Sequence, residues 1–246
     1  MLKLSPLPLL LLACAGGSTT PGPGEPTVYR VLFVGNSLTY FNDLPGTVAH
    51  LASSGADSIE VGSVALANFA LIDHATGKSD AVDVIRRGGW DYVVLQQGPS
   101  SLPISRDTLI LGTELLDSEI RAVGGRTAEL MVWPTAGNPA AFDAVRDSYQ
   151  QAALAVDGLF LPAGEAWRTA WAVDPTLSLY GSDGFHPSEL GTYLAALVVY
   201  EGITGHDAID LPGEAFAAGH PLVVPLGVVR LLQHAAHETV ARFAEP

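Results

Sequence analysis

The chain predicts an α/β protein built on a parallel sheet of about five strands. Short apolar or β-branched runs alternate with longer segments of helical period, the pattern of βαβ units. Each short run is also nearly continuous in apolar residues, as strands covered on both faces require.

In chain order, a first strand is expected at 29–34 and a helix at 44–53. A strand at 58–64 precedes a helix at 79–87, and a strand at 92–95 precedes a helix at 107–123. Strands at 128–133 and 158–161 flank a helix at 139–156. Three more helices are expected at 165–172, 187–201 and 223–243. The first of the last two is well signed: Pro187 suits an opening helical position, Glu189 favours the positive end, and Gly202 and Gly205 lie past the last turn. His186 is then expected at the N-cap.

The N-terminus reads separately. Lys3 precedes a leucine-rich run to Leu12 that is interrupted by Pro6 and Pro8 and falls short of the roughly 18 residues of a spanning helix. Leu11-Leu12-Ala13-Cys14 resembles the bacterial lipoprotein signal, which implies cleavage after residue 13 and lipidation of Cys14. Residues 14–27 are dense in Gly, Pro, Ser and Thr, the composition of a flexible tether. The globular domain is expected from 28 to 246, in the bacterial cell envelope on the extracytoplasmic side or secreted, touching membrane only through the lipid.

A formal net charge of −14, with no Lys/Arg stripe to track phosphates, argues against nucleic acid as a partner. The same field mildly favours neutral substrates such as acylated sugars. A single cysteine excludes an internal disulfide framework and multi-cysteine metal sites.

In an open parallel sheet, ligands bind beyond the carboxyl ends of the strands. Ser37, Gln96, Gln97 and Trp133 all follow or close such ends. Far downstream, Asp183-Gly184-Phe185-His186-Pro187 supplies an acid and a base three positions apart. A serine hydroxyl is a weak nucleophile and needs both a base and a group to orient that base.

The block Gly35-Asn36-Ser37-Leu38-Thr39 and the last block Asp183-x-x-His186-Pro187 resemble those of the SGNH (GDSL-type) hydrolases, over Val31 to about Gly205. The resemblance implies a flavodoxin-like three-layer α/β/α sandwich and metal-free, cofactor-free ester hydrolysis, with Ser37 as nucleophile, His186 as base and Asp183 as its orienter. Thr39 stands where the G-x-S-x-G elbow has its second glycine, which argues against the common α/β-hydrolase arrangement. A histidine base also implies that activity falls at acid pH.

The oxyanion hole fits that pattern less closely. The Ser37 N–H follows a strand and approaches a helix start, where it can meet developing charge. The second-block region, Leu66 to Ala70, has no glycine; Asn68 is the candidate there because Asn tolerates left-handed backbone. The third block ends in Gln96-Gln97, either of which can donate an amide N–H; alternation along a strand aims them oppositely. Asn36 and Trp133 are candidates for substrate contact.

His234 and His237, beside Glu238, have metal-binding spacing but read as one face of an amphipathic surface helix. Trp167 and Trp171, four apart, read as core. The expected substrate is an acetyl or other short-acyl ester of an extracytoplasmic carbohydrate. A lipase- or thioesterase-like activity on longer acyl chains, and a non-catalytic glycan-binding lipoprotein on the same fold, are the alternatives. The oligomeric state is open.

Overall fold

The computed structural model describes residues 27–244, so the signal at 1–13, Cys14 and nearly all of the tether lie outside the described residues. The first strand, β1 (Val28–Gly35), carries the apolar run that the sequence predicts, and Val31 to Val34 are completely buried. It is followed by a one-turn helix, α1 (Ser37–Tyr40), a 3-10 turn (Phe41–Asp43) and α2 (Leu44–Ser53). Then come β2 (Ser58–Ala65), the short helices α3 (Leu71–Ala75) and α4 (Ala81–Arg86), and β3 (Tyr92–Leu95).

The chain continues through α5 (Pro103–Ala122), β4 (Arg126–Leu130), α6 (Phe142–Ala155), β5 (Leu159–Leu161) and α7 (Ala163–Val173). It ends with α8 (Glu189–Thr204), a two-residue hairpin (Phe216–Ala217 with His220–Pro221) and α9 (Leu226–Ala244).

All five main strands are parallel, in the order β2-β1-β3-β4-β5. This is the flavodoxin-like doubly wound order, and the predicted fold class is the observed one. Helices α2, α7, α8 and α9 pack together in one layer, and α3 to α6 in the other. The order reverses between β1 and β3, so the switch-point crevice opens where Ser37 and the two glutamines leave the sheet.

Several boundaries shift by a few residues, α5 opening at Pro103 and α9 at Leu226, and two departures bear on the site. The fourth strand stops at Leu130 because its neighbour β5 ends at Leu161: the Met131 N–H makes the last ladder bond, to the Leu161 carbonyl, and the Met131 carbonyl instead receives the Gly164 N–H from the start of α7. Met131 to Trp133 stay buried but irregular. The helix expected from Pro187 begins at Glu189, and its N-cap is Ser188, whose Oγ accepts from the Gly191 N–H at 3.1 Å. His186 is therefore not the cap: its own N–H is spent on Asp183 and its carbonyl on the Gly181 N–H. Among the described residues no helix is long and apolar enough to cross a membrane.

Candidate active site

The turn that carries Ser37 is built by close approach. A Cβ on Gly35 would lie 2.4 Å from Thr39 Oγ1 and 2.6 Å from Gln96 Oε1, so only glycine fits there. Asn36 caps α1, its Oδ1 accepting from the Leu38 N–H at 3.0 Å, and its Nδ2 donates to the Phe69 carbonyl. Ser37 stands at the first helical position. Its backbone N–H has no protein partner among the described residues.

The acid and base come from the loop that precedes α8. Asp183 Oδ1 accepts both the Phe185 and the His186 backbone N–H groups at 2.9 Å, a tight turn that Gly184 completes at φ +65°. The second carboxylate oxygen accepts from His186 Nδ1–H at 2.6 Å. That bond puts the imidazole proton on Nδ1, leaving Nε2 to accept from the Ser37 hydroxyl at 2.9 Å. The residues predicted as nucleophile, base and orienter thus form one continuous hydrogen-bonded chain. The imidazole, joined by the backbone donors, lowers the Asp183 carboxyl to about 2, so it is ionised across the neutral range.

Trp133 serves this loop rather than a substrate, which corrects the expectation. It is 2% exposed, its ring lies flat on Trp167 with centroids 3.6 Å apart, and its indole N–H donates to the Phe185 carbonyl at 3.0 Å. The Ala136 N–H bonds the Gly184 carbonyl and the Tyr180 hydroxyl bonds the Pro134 carbonyl. The segment after β4 therefore holds the His186 loop. Trp167 is fully buried and Trp171 packs beside it, as core residues.

The two glutamines resolve into different roles. Gln96 is 1% exposed; its Oε1 accepts from the Asn36 N–H at 3.1 Å and the Thr39 hydroxyl at 2.7 Å, and its amide donates to the Gln97 carbonyl. With its donor turned back into the protein, Gln96 is a brace under the nucleophile turn and not an oxyanion donor. Gln97 does line the cleft beside Ser37, but its amide donates to Ser100 Oγ at 2.8 Å and the Ser105 carbonyl at 3.4 Å, while its Oε1 accepts from the Leu71 N–H. It ties the loop after β3 to the first turns of α3 and α5.

Asn68 has φ +63°, the left-handed backbone expected of it, and its N–H has no partner among the described residues. It shares with Ser37 a cleft of about 340 Å³ that also exposes Phe69, Ala70, Gly98, Pro99 and Phe185. Asn36 borders this cleft too. Both its side-chain groups are committed to protein partners, so its role as a substrate contact is corrected to that of a cap joining the first and second blocks. A larger groove of about 510 Å³, between the start of α8 and Pro221 to Val224, holds none of these residues.

Sequence reasoning missed His74 and Tyr149. His74 is completely buried, its Nε2–H donating to the Gly35 carbonyl at 2.9 Å and its Nδ1 accepting from the Ser79 hydroxyl at 2.7 Å. Burial pushes its pKa down, so the neutral ring is what supports the turn. The Tyr149 hydroxyl accepts the Gln97 N–H and donates to the Gln97 carbonyl at 2.7 Å, bracing the loop after β3. Neither has a local signal for this role, since Gly35 and Gln97 lie 39 and 52 residues from them in the chain.

His237, assigned to a surface helix, meets Glu201 at 2.8 Å and Asp207 at 3.5 Å rather than Glu238. The three donors lie within 4.8 Å and suit a divalent cation in kind, yet Glu201 already accepts from the Ala208 N–H and from His237. Glu201 stands about 18 Å along α8 from its start, away from the Ser37 cleft.

No protein-family model and no curated protein sequence matches the chain. Solved structures do. A DUF4886 family protein from Bacteroides uniformis superposes with a TM-score of 0.73 at 18% identity, covering 87% of this chain and 95% of that one. A protein of Slackia heliotrinireducens inferred to be an SGNH hydrolase gives a TM-score of 0.62 at 26% identity, covering 72% and 100%. The acetylxylan esterase Axe2 from Geobacillus stearothermophilus gives 0.53 at 17%, covering 74% and 96%. The chain thus shares the fold of SGNH and GDSL-type hydrolases.

Proposed function

We propose that the protein is a serine ester hydrolase that removes acetyl or other short acyl groups from a carbohydrate ester outside the cytoplasm. The observation that carries this is the unbroken chain Ser37, His186, Asp183 at one edge of a small open cleft. Ser37 Oγ attacks the acyl carbonyl while its proton passes to His186 Nε2. The alkoxide departs with that proton, leaving an acyl-serine; water attacks it, gives its proton to the same nitrogen, and the acid leaves with Ser37 restored. The main-chain N–H groups of Ser37 and Asn68, without partners among the described residues, are the proposed oxyanion donors.

Short acyl groups suit a cleft of about 340 Å³ walled by Ala70, Gly98, Pro99 and Ser100. The similarity to a fold that includes an acetylxylan esterase supports a sugar acetate. One observation favours longer chains: Leu102 and Ile104, 63% and 73% exposed, lie within three residues of Ser105, which lines the cleft. A series of p-nitrophenyl esters tests both. The highest kcat/KM is expected on acetate, falling by octanoate; a maximum at octanoate replaces the first reading with the second.

The location outside the cytoplasm rests on the leucine-rich N-terminus and Cys14. Expressed in a bacterium, the full chain is expected to incorporate labelled fatty acid and to lose the label in Cys14→Ala; an unlabelled full chain removes the anchor.

A further inference from the structure

We propose that Asn42 is a positioning residue for the catalytic base, setting the distance between the His186 imidazole and Ser37. This rests on the esterase reading above. Asn42 and Asp43 are consecutive non-glycine residues in left-handed backbone, at φ +53° and +51°. L-residues avoid that region, and such strain persists where the surroundings over-determine it, often at a functional site.

The surroundings are specific here. Asn42 Nδ2 donates to the Pro187 carbonyl at 3.0 Å and to Thr192 Oγ1 at 3.1 Å, spending both amide hydrogens 145 and 150 residues away. Pro187 directly follows His186. The Asn42 carbonyl accepts from the Ala218 N–H at 3.0 Å, and Asp43 Oδ1 closes the turn by accepting from the Gly46 N–H. The same turn lays Phe41 against the imidazole, with ring centroids 4.5 Å apart and planes 23° from parallel.

These contacts divide the work of holding His186. Trp133 and Ala136 fix its loop from the β4 side and Asp183 fixes it from within, and among the described residues none of them hydrogen-bonds to α1. Asn42 lies only five positions after Ser37, so together with Phe41 it forms a short link between the nucleophile's turn and the base. The residue type follows. Gly and Asp tolerate left-handed backbone, but Gly brings no donor and Asp would set a carboxylate against the Pro187 carbonyl.

The test compares wild type, Asn42→Gly and Asn42→Asp in kcat and KM on p-nitrophenyl acetate, per active site titrated with a fluorophosphonate, and in the low-field proton NMR signal of His186 Nδ1–H. The expected result is a roughly 10- to 100-fold loss of kcat with KM little changed, because an ångström-scale misplacement costs that much. Phosphonylation of Ser37 slows in proportion, and the Nδ1–H signal broadens or vanishes although Ser37→Ala retains it. A folded variant with wild-type kcat per titrated site and an intact signal overturns the proposal; if Asn42→Gly does not fold, Asn42→Asp decides. A wild type that is not phosphonylated at Ser37 fails the esterase reading instead. The NMR comparison then still judges the positioning by itself.

Discussion

Ser37→Ala is expected to lower kcat/KM on p-nitrophenyl acetate at least a thousandfold, the scale set by loss of a nucleophile whose partners act as a unit. Its fold should survive. Among the described residues the Ser37 side chain makes one hydrogen bond, to His186, and α1 is capped by Asn36 rather than by Ser37. The melting temperature should therefore move little while turnover collapses, and a fluorophosphonate should label the wild type alone. Equal rates in the two proteins would sink the triad as the source of activity.

Asp183→Asn gives a second view of the same chain of bonds. The carboxylate accepts from Nδ1–H, so an amide nitrogen in its place disfavours the tautomer that leaves Nε2 free. Activity should fall on a similar scale to the serine variant, with binding of substrate largely kept. A variant that lost KM but not kcat would point to a binding role for the loop.

What could be read from the sequence follows from how local each signal is. The third strand and α2 were legible to the residue, because four consecutive apolar residues and a ten-residue helical period state themselves. α1 and α3 were not, since four or five residues hold too little of a period to register. The left-handed backbone of Asn68 was legible from residue type alone.

The site's supporting residues behave differently. Whether Trp133 faces a cleft or a core depends on Trp167, which stacks on it from another element. Gln96 and Gln97 are both polar residues leaving a strand, and their different tasks are set by Thr39 on one side and by Ser100 and Ser105 on the other. Asn42 is the extreme case, its partners lying 145 and 150 residues downstream. The groups proposed to react were legible because such chemistry demands particular residue types; their supports were not, because many residue types can fill a gap that only the fold defines.

Glu129→Gln is expected to remove a fall in stability with rising pH. The Glu129 side chain projects from β4 into the packing against α5 and is completely buried; one oxygen accepts from the Thr113 hydroxyl at 2.7 Å and the other has no partner among the described residues. The next residue on the same strand face, Thr127, donates to Asp117 one turn further along α5. Burial first, with Asp117 adding to it, raises the Glu129 pKa to about 8 from 4.5. The folded state therefore keeps a proton that the unfolded chain releases above about 4.5. Stability falls as pH rises from there toward 8, by roughly 3 kcal/mol between about pH 5 and 7.5.

Glutamine cannot ionise, so the stability of the variant minus that of wild type should climb by that amount over the same window in urea titrations. Taking the difference cancels groups of opposite sign such as His74, whose lowered pKa favours the folded state as pH rises through the ordinary histidine range. Any constant cost of the amide's unpartnered hydrogens shifts both ends of the curve equally and leaves the slope intact. Parallel pH profiles for the two proteins would mean that Glu129 ionises inside the fold at no cost, and that the contact between β4 and α5 is wetter than its burial implies.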